Sequence, residues 1–302
     1  MTGHVAVISN PAAGKGRAVR IAAEAIESLR TSGVEVRVYT GSSLTESREL
    51  AARALEAGPD VFVVVGGDGT LSGLLDLLCG QSVPVAVVPA GTGNDLARAL
   101  RLPLRSAADA ALVAQTGRPR VIDVGEVRCG ASTRLFLTVA ALGFDARVTE
   151  RTDRLRWPSG PLRYYLALII ELVRLRPVPF RISLDGEQTR DAAGTLVAVG
   201  NTESYGGGMP ICVGATPDDG MLDVVHVRTL GRLRLIALFP RLLRGRHLGV
   251  AEVSHRRVRS VAISAPGLTV YADGERVATE ECTIGIRVAA LTMLVPASDQ
   301  VD

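Results

Sequence analysis

The stretch Val61-Phe-Val-Val-Val-Gly-Gly-Asp-Gly-Thr70 constrains this chain more than any other. A run dominated by β-branched valine stops abruptly at glycines, the pattern of a parallel strand buried on both faces that empties into a tight loop. A helix is expected to start near Leu71. Glycines let a backbone approach phosphate oxygens, and a helix N-terminus behind them favours negative charge. Asp68 is the odd residue in this loop. A carboxylate beside phosphate is repelled unless a metal ion lies between them, and Mg²⁺ suits oxygen ligands of both kinds. The stretch therefore predicts a nucleotide polyphosphate with Mg²⁺ at the carboxyl end of a sheet.

Two more loops have the same form. Val5-Ala-Val-Ile-Ser-Asn-Pro-Ala-Ala-Gly-Lys-Gly16 reads as a strand, then a small-residue turn, then a helix. It is not a Walker A loop, because no Ser or Thr follows Lys15 and the first glycine is missing. Val85-Ala-Val-Val-Pro-Ala-Gly-Thr-Gly-Asn-Asp95 repeats the plan. Three such loops in one α/β half would converge on one edge of a parallel sheet.

Asn10-Pro11 with Gly14, GGDGT at 66–70 and Pro89-Ala-Gly-Thr-Gly-Asn-Asp95 together resemble the diacylglycerol kinase catalytic-domain family. More narrowly they resemble its soluble bacterial lipid-kinase branch. GGDGT alone is shared with NAD kinases and, loosely, phosphofructokinases, but its combination with PAGTGND is more specific. Weaker matches run to the C-terminal region. The resemblance implies an α/β chain of two domains: a parallel-sheet, NAD kinase-like nucleotide-binding domain and a C-terminal antiparallel β-sandwich, with the active site in the cleft between them. It implies ATP held by Asn10, Gly14, Lys15, Gly66, Gly67, Gly69, Thr70, Gly91, Thr92, Gly93, Asn94 and Asp95, with Asp68 orienting Mg²⁺ through water. Asp123 would join Asp68 and Asp95 around the metal, and Asn201 with Gly206-Gly207-Gly208 would line the cleft.

Two sites in the second half carry the remaining chemistry. Asp273-Gly-Glu275 reads on its own as an Asp-Gly hairpin turn; the resemblance implies that Glu275 is the general base. A primary hydroxyl is a poor nucleophile, and a carboxylate can take its proton as the bond to phosphorus forms. Pro217-Asp-Asp-Gly-Met-Leu-Asp223 is either an ordinary Asp-Gly turn or, as the resemblance implies, a structural Mg²⁺ loop. Asp219 and the Met221 carbonyl would be its leading ligands, with Asp218 and Asp223 as further ones. One departure stands out: Ser72 and Gly73 follow GGDGT where the family commonly carries acidic or Asn residues, which bears on nucleotide preference or helix packing there.

Composition narrows the setting. Hydrophobic residues make up 47% of 302 and aromatics only 4%, so aliphatic side chains and Ala must fill the core. No apolar run is long enough to span a bilayer, and the chain enters a strand near His4 without a signal peptide, so a cytoplasmic protein is expected. Cys79, Cys129, Cys212 and Cys282 show no paired spacing and read as reduced thiols. Lys15 is the only lysine; it serves equally as a phosphate contact or a solvated loop residue. Between Arg228 and Arg259 nine arginines face one acid, Glu252. The helix-like alternation at 230–247 suits peripheral contact with an anionic membrane surface, or a surface helix with arginines in water. Few aromatics and no recognised motif argue against nucleic acid.

Alternating strand and helix patterns run to about residue 116, with helices expected near 16–31, 45–57, 70–79, 94–100 and 106–116. From Val121 short alternating strands dominate, broken by a strongly apolar helix at 162–175. Arg151–Pro161 reads as a mobile loop. The domains expected are 1–122 with about 286–296 returning to it, and 123–285. The activity implied is an ATP- and Mg²⁺-dependent lipid kinase that phosphorylates diacylglycerol to phosphatidic acid. The alternatives are an NAD kinase or a catalytically silent lipid-binding regulator. An exposed sheet edge in the second domain would permit a homodimer.

Overall fold

The computed structural model describes residues 3–10, 17–155, 157, 161–279 and 281–297. The chain divides into two compact units, Met1–Val124 with Val288–Asp302, and Gly125–Arg287.

The first unit begins β1 (His4–Ser9), α1 (Arg17–Thr31), β2 (Glu35–Thr40), α2 (Leu44–Glu56), β3 (Val61–Gly66). It continues α3 (Asp68–Ser72), α4 (Leu75–Leu78), β4 (Val85–Pro89), α5 (Asp95–Ala99), α6 (Ala107–Thr116), and then β5 (Arg118–Cys129), which leads into the second unit. β1, β3 and β4 are buried at every position, as their valine runs demand. They pair in parallel, with β2 beyond β1. Ala18, Ala22 and Ala25 of α1 and Ala110, Ala111 and Ala114 of α6 pack on this sheet. Small side chains let helix and sheet approach closely, which is how a chain poor in aromatics builds a dense core.

The second unit carries β6 (Ser132–Phe136), β7 (Val139–Gly143), α7 (Phe144–Arg154), α8 (Pro161–Val173), β8 (Val178–Leu184) and β9 (Arg190–Gly200). There follow β10 (Ser204–Tyr205), β11 (Met209–Pro210), β12 (Leu222–Arg228), α9 (Arg232–Leu243), β13 (Val253–Val258) and β14 (Ser260–Ser264). The hairpin β15 (Val270–Ala272) and β16 (Glu275–Ala278) precedes β17 (Cys282–Val295). Its sheet is antiparallel. β9 is shared: Arg190–Gly194 pair with β8 while Leu196–Gly200 pair with β7, and β12 lies along its other edge. Phe136, Phe180, Val197, Val199, Ile263 and Ile284 lie in the core of this β-sandwich. A second apolar cluster joins β9 and β12 to α7, α8 and α9. β17 runs back into the first unit, where Met293 pairs in parallel with Val85 of β4. The first sheet is therefore ordered β17-β4-β3-β1-β2.

Three expectations are corrected. The helix expected at 70–79 is two short helices, α3 and α4, because Gly73 ends the first. α3 also begins at Asp68 rather than near Leu71, with Gly67 in extended conformation as its N-cap. Arg151–Arg154 are not loop but the last turn of α7. All four cysteines are free, and burial pushes the Cys282 thiol up to about 12. No described helix is long and apolar enough to cross a membrane.

Candidate active site

The order β2-β1-β3-β4 reverses direction between β1 and β3, so the loops after these strands diverge from a switch point, the position at which α/β sheets bind ligands. The register sets the three strand ends level: Ser9 pairs with Val65, and Gly66 with Pro89. Ala90 N–H then donates to the Gly66 carbonyl at 2.9 Å. Asn10 sits at the end of β1. Gly14 and Lys15 lie outside the described residues.

The glycines of the other two loops touch. A Cβ at Gly67 would lie 2.8 Å from the Gly91 Cα, and one at Gly91 would lie 2.6 Å from the Gly67 Cα. Only glycine fits either position. Gly66 is likewise filled, by the side chain of Thr70, which would meet a Cβ there at 2.5 Å. Asn94 closes the second loop on itself. Its Oδ1 accepts from Gly91 N–H at 3.0 Å and its Nδ2 donates to the Gly91 carbonyl at 3.1 Å. Asn94 does this from the left-handed conformation, φ 52°, which Asn tolerates better than most residues. Arg98 Nε donates to the Gly93 carbonyl at 3.2 Å, and Thr92 lies between the two glycines of this turn.

Asp68 joins the loops. Its Oδ2 accepts from Asp95 N–H at 3.2 Å and its Oδ1 from Leu96 N–H at 3.3 Å, so the carboxylate caps α5. That satisfies two donors at a helix start and opposes the helix dipole. Two acidic residues, half-exposed Asp68 and buried Asp95, are thereby adjacent beside a bare-backbone cradle. Oxygen donors beside a surface that phosphate can approach closely fit Mg²⁺ carrying a nucleotide. Gly73 lies against α2: a Cβ there would meet Leu44 Cδ1 at 2.4 Å unless that side chain moved. Its carbonyl accepts from Arg48 Nη1 at 2.6 Å.

Asp123 has a structural partner. Its Oδ1 accepts from Ala289 N–H at 2.7 Å, and Ala289 is a non-glycine at φ 53°. The buried carboxylate thus holds the kink at which β17 turns onto β4.

In the second unit, Asp273 (φ 49°) and Gly274 (φ 82°) form a turn with both central residues at positive φ, the hairpin type that right-twisted strands favour. Glu275 follows it, exposed, at the start of β16. The turn is anchored from the side. Asp273 accepts from Leu137 N–H and Thr138 N–H, both at 2.8 Å, and from Thr138 Oγ1 at 2.6 Å. Asn201 braces the same corner. Its N–H donates to the Thr138 carbonyl at 2.8 Å and its Nδ2 to the Leu137 carbonyl at 3.0 Å. Asn201 is fully buried, so it positions this corner rather than lining a surface.

The 217–223 loop does not fit a cation. Asp219 Oδ2 accepts from Thr216 Oγ1 at 2.6 Å and is ion-paired with Arg257, while its Oδ1 accepts from Met221 N–H at 3.0 Å. Asp223 points elsewhere, buried, with Oδ1 2.5 Å from His255 Nε2. Burial raises its carboxyl against the pull of His255 and Arg257. Asp218 lies beside Asp219 in the same turn. Among the described residues no three His, Cys, Asp or Glu cluster to hold a metal. The guanidinium of Arg257 occupies the carboxylate a cation would need.

One acid escaped notice in the sequence. Asp145, in the first turn of α7, is buried, its Oδ2 makes no hydrogen bond to a described residue, and Tyr205 bonds its carboxyl. Burial raises it to about 6. The signal was a lone acid directly after the apolar strand Val139–Gly143.

Comparison with known proteins agrees with this architecture. Residues 4–127 match the family described as Diacylglycerol kinase catalytic domain, and residues 138–295 the YegS C-terminal NAD kinase beta sandwich-like domain. The chain belongs to the diacylglycerol kinase family and is an enzyme of the lipid kinase class. A diacylglycerol kinase of Mycobacterium tuberculosis is 42% identical over 97% of this chain and 96% of its own. A YegS-like lipid kinase of Pseudomonas aeruginosa is 33% identical over 90% and 89%. A diacylglycerol kinase structure from Bacillus anthracis superposes with TM-score 0.73 at 22% identity, covering 99% of this chain and 98% of that one. Yeast NADH kinase superposes at 0.54 and 11%, covering 98% and 84%. The two structures share the fold.

Proposed function

We propose that this kinase transfers the γ-phosphoryl of ATP to a hydroxyl of diacylglycerol, giving phosphatidic acid and ADP, with Mg²⁺ required. The observation that carries the nucleotide half is the backbone contact of Gly67 with Gly91 at the ends of β3 and β4, beside the sheet's switch point and tied by Asp68 to α5. Asn10 follows β1 at the same sheet edge; Gly14 and Lys15, outside the described residues, are proposed to meet the phosphates. Asp68 and Asp95 are the residues that would hold Mg²⁺, whose charge would offset the negative charge that develops on transfer. Gly66, Gly69 and Thr70 keep the first loop compact beside the nucleotide, and Gly91, Thr92, Gly93 and Asn94 shape the second.

The chemistry asks one more group of the chain. Glu275 accepts the proton of the lipid hydroxyl as its oxygen bonds to the γ-phosphorus and the bond to the β–γ bridging oxygen breaks. The exposed Glu275 carboxylate is accessible to a substrate, while Asp273, Thr138 and Asn201 fix the hairpin that presents it. Diacylglycerol is favoured as acceptor by the 42% identity to the M. tuberculosis diacylglycerol kinase.

The test is transfer of label from γ-labelled ATP with diacylglycerol, monoacylglycerol, sphingosine and ceramide in mixed micelles, and with NAD in parallel, with and without Mg²⁺. Mg²⁺-dependent labelling of diacylglycerol is the expected result. Label in another lipid would replace the acceptor, label in NADP would replace the reaction, and no label in protein that binds ATP would leave a silent regulator.

A further inference from the structure

Ser72-Gly73 departs from the pattern that commonly follows GGDGT, and an arginine from another helix meets the chain there. α3 has five residues, Asp68–Ser72, and carries Asp68 at its first position. So short a helix does not hold itself in water, and its place is set by what grips its ends. The first end is held at the glycine cradle, where Thr70 fills the space beside Gly66 and Asp68 caps α5. The far end is held by α2. Arg48 Nη1 donates to the Gly73 carbonyl and to Asp76 Oδ1, both at 2.6 Å, and its Nη2 donates to Asp76 Oδ2 at 2.5 Å. Gly73 is the C-cap of α3, and Asp76 lies in the first turn of α4. One guanidinium therefore ties both short helices to α2. Its planar fork suits a bidentate carboxylate, which a point-charge ammonium does not match. The hydrogen bonds from Arg48 hold the Asp76 carboxyl below its usual range and raise Arg48 in turn.

α2 is itself anchored. Its N-cap Ser43 accepts from Glu46 N–H at 3.2 Å, and in the turn before it Gly41 N–H donates to the Ser9 carbonyl at 3.1 Å. Leu44, four residues before Arg48 and so on the same face of the helix, lies against Gly73. A connection thus runs from the end of β1 through α2 and Arg48 to α3, and through Asp68 to α5. The side chains of Arg48 and Asp76 are 36% and 55% exposed, and an ion pair as wet as this adds little to stability. Its consequence lies in where it holds α3. At 1.5 Å per residue the clamp grips the chain only about 7.5 Å along the helix from Asp68, so a shift at one end is carried to the other.

We propose that Arg48 is a positioning residue for phosphoryl transfer: by clamping the Gly73 carbonyl and Asp76 it fixes α3, and through α3 it sets where Asp68 stands for Mg²⁺ and the nucleotide. The proposal rests on the kinase reading, in which Asp68 is the acid assigned to Mg²⁺.

The experiment is steady-state transfer from γ-labelled ATP to diacylglycerol in neutral detergent micelles, with Mg²⁺ varied at saturating ATP and lipid, beside calorimetric binding of MgATP. Arg48→Gln should lower kcat by about tenfold to a hundredfold and raise the Mg²⁺ concentration for half-maximal rate, with KM for diacylglycerol unchanged. Arg48→Lys keeps the charge but loses the fork, so it should resemble Arg48→Gln. Asp76→Asn leaves the bond to the Gly73 carbonyl in place and should show a smaller change of the same kind; it carries the test if Arg48→Gln does not fold. Arg37→Gln, which breaks an exposed pair with Glu35 on β2, should match wild type. A wild-type kcat and Mg²⁺ response in Arg48→Gln, or full activity in Arg48→Lys, overturns the proposal. So does a fall in kcat that only tracks the fraction of protein able to bind MgATP, with the Mg²⁺ response unmoved, which would make the clamp a matter of stability alone. A wild type that binds MgATP but labels no lipid would overturn the kinase reading. Arg48 would then be judged on the Mg²⁺ dependence of ATP binding, shifted in Arg48→Gln if the clamp places Asp68 and unchanged if it does not.

Discussion

Gly91→Ala tests the nucleotide cradle most sharply. The added methyl would sit 2.6 Å from the Gly67 Cα and 2.7 Å from Asn94 Oδ1, whereas ordinary contact begins near 3.4 Å. The loops must therefore part by about 0.8 Å, the difference between those two distances. Neither neighbour yields easily. Gly67 is backbone, and Asn94 is held by two hydrogen bonds to Gly91 itself. Overpacking of this kind costs about 1–3 kcal/mol. In a chain of this size each kcal/mol moves Tm by roughly 2–4 °C, so a fall of about 2–12 °C is expected. The catalytic loss should be larger in proportion, because a misplacement near 1 Å can cost ~10²-fold in rate. Scanning fluorimetry with and without MgATP, beside the transfer assay, separates the two effects. Gly249→Ala, whose Cβ would meet nothing within 4 Å, is the control and should change neither. A Gly91→Ala protein with wild-type Tm and a wild-type MgATP-induced rise in Tm would refute the idea that the loops meet backbone to backbone.

Glu275→Ala should lower kcat by about 10²–10⁴ while the stabilisation by MgATP persists; an unchanged kcat removes Glu275 from the reaction. Asp68→Asn keeps the side chain's size but turns an amide N–H₂ toward one of the Asp95 and Leu96 N–H donors, so it should destabilise by about 1–3 kcal/mol in addition to losing Mg²⁺-dependent turnover. Wild-type thermal stability in that variant would discard the capping role. Burial raises Asp145 from 3.8 to about 6, so the folded state holds a proton that the unfolded chain releases. Its share of stability is complete below about pH 4 and lost as pH rises through about 6, on the order of 3 kcal/mol. Asp145→Asn should flatten that fall in urea titrations across pH 4–7; a slope equal to wild type would contradict the assignment. Arg257→Gln should release Asp219 and make thermal stability respond to Mg²⁺ in the absence of nucleotide, a response wild type should lack. A Mg²⁺ response already present in wild type would restore the cation reading of the 217–223 loop.

Local pattern carried much of this structure. The valine runs before Gly66 and Pro89, and the small residues that punctuate them, specify buried parallel strands and tight turns whatever the rest of the chain does. What pattern could not carry is equally specific. α7 was hidden because its apolar residues Phe144, Ala146 and Val148 are spaced by two, the period of a strand, among six charged residues. The pairing of Asp273 with Leu137 and Thr138 spans about 135 positions, and that of Asp123 with Ala289 spans 166. No periodicity reports contacts at that range. Gly73, a departure beside GGDGT, lies against the side chain of Leu44 on another helix, a contact the local pattern does not report.

The acids singled out for chemistry share a second use that separates them. Asp68, Asp123 and Asp273 each accept backbone N–H groups, and Asp219 accepts both an N–H and a guanidinium. An Asp beside Gly suits either duty, since a short acceptor-only side chain next to a permissive backbone can cap a turn or ligate a cation. Neighbours decide between them. Asp219 faces Arg257, which supplies the positive charge a metal would bring. Asp123 and Asp273 hold a kink and a turn that must stay where they are for β17 and Glu275 to be placed. Asp68 differs: it accepts an N–H at each oxygen and stands next to Asp95 at the glycine cradle. It caps α5, and is proposed to serve a hydrated cation as well.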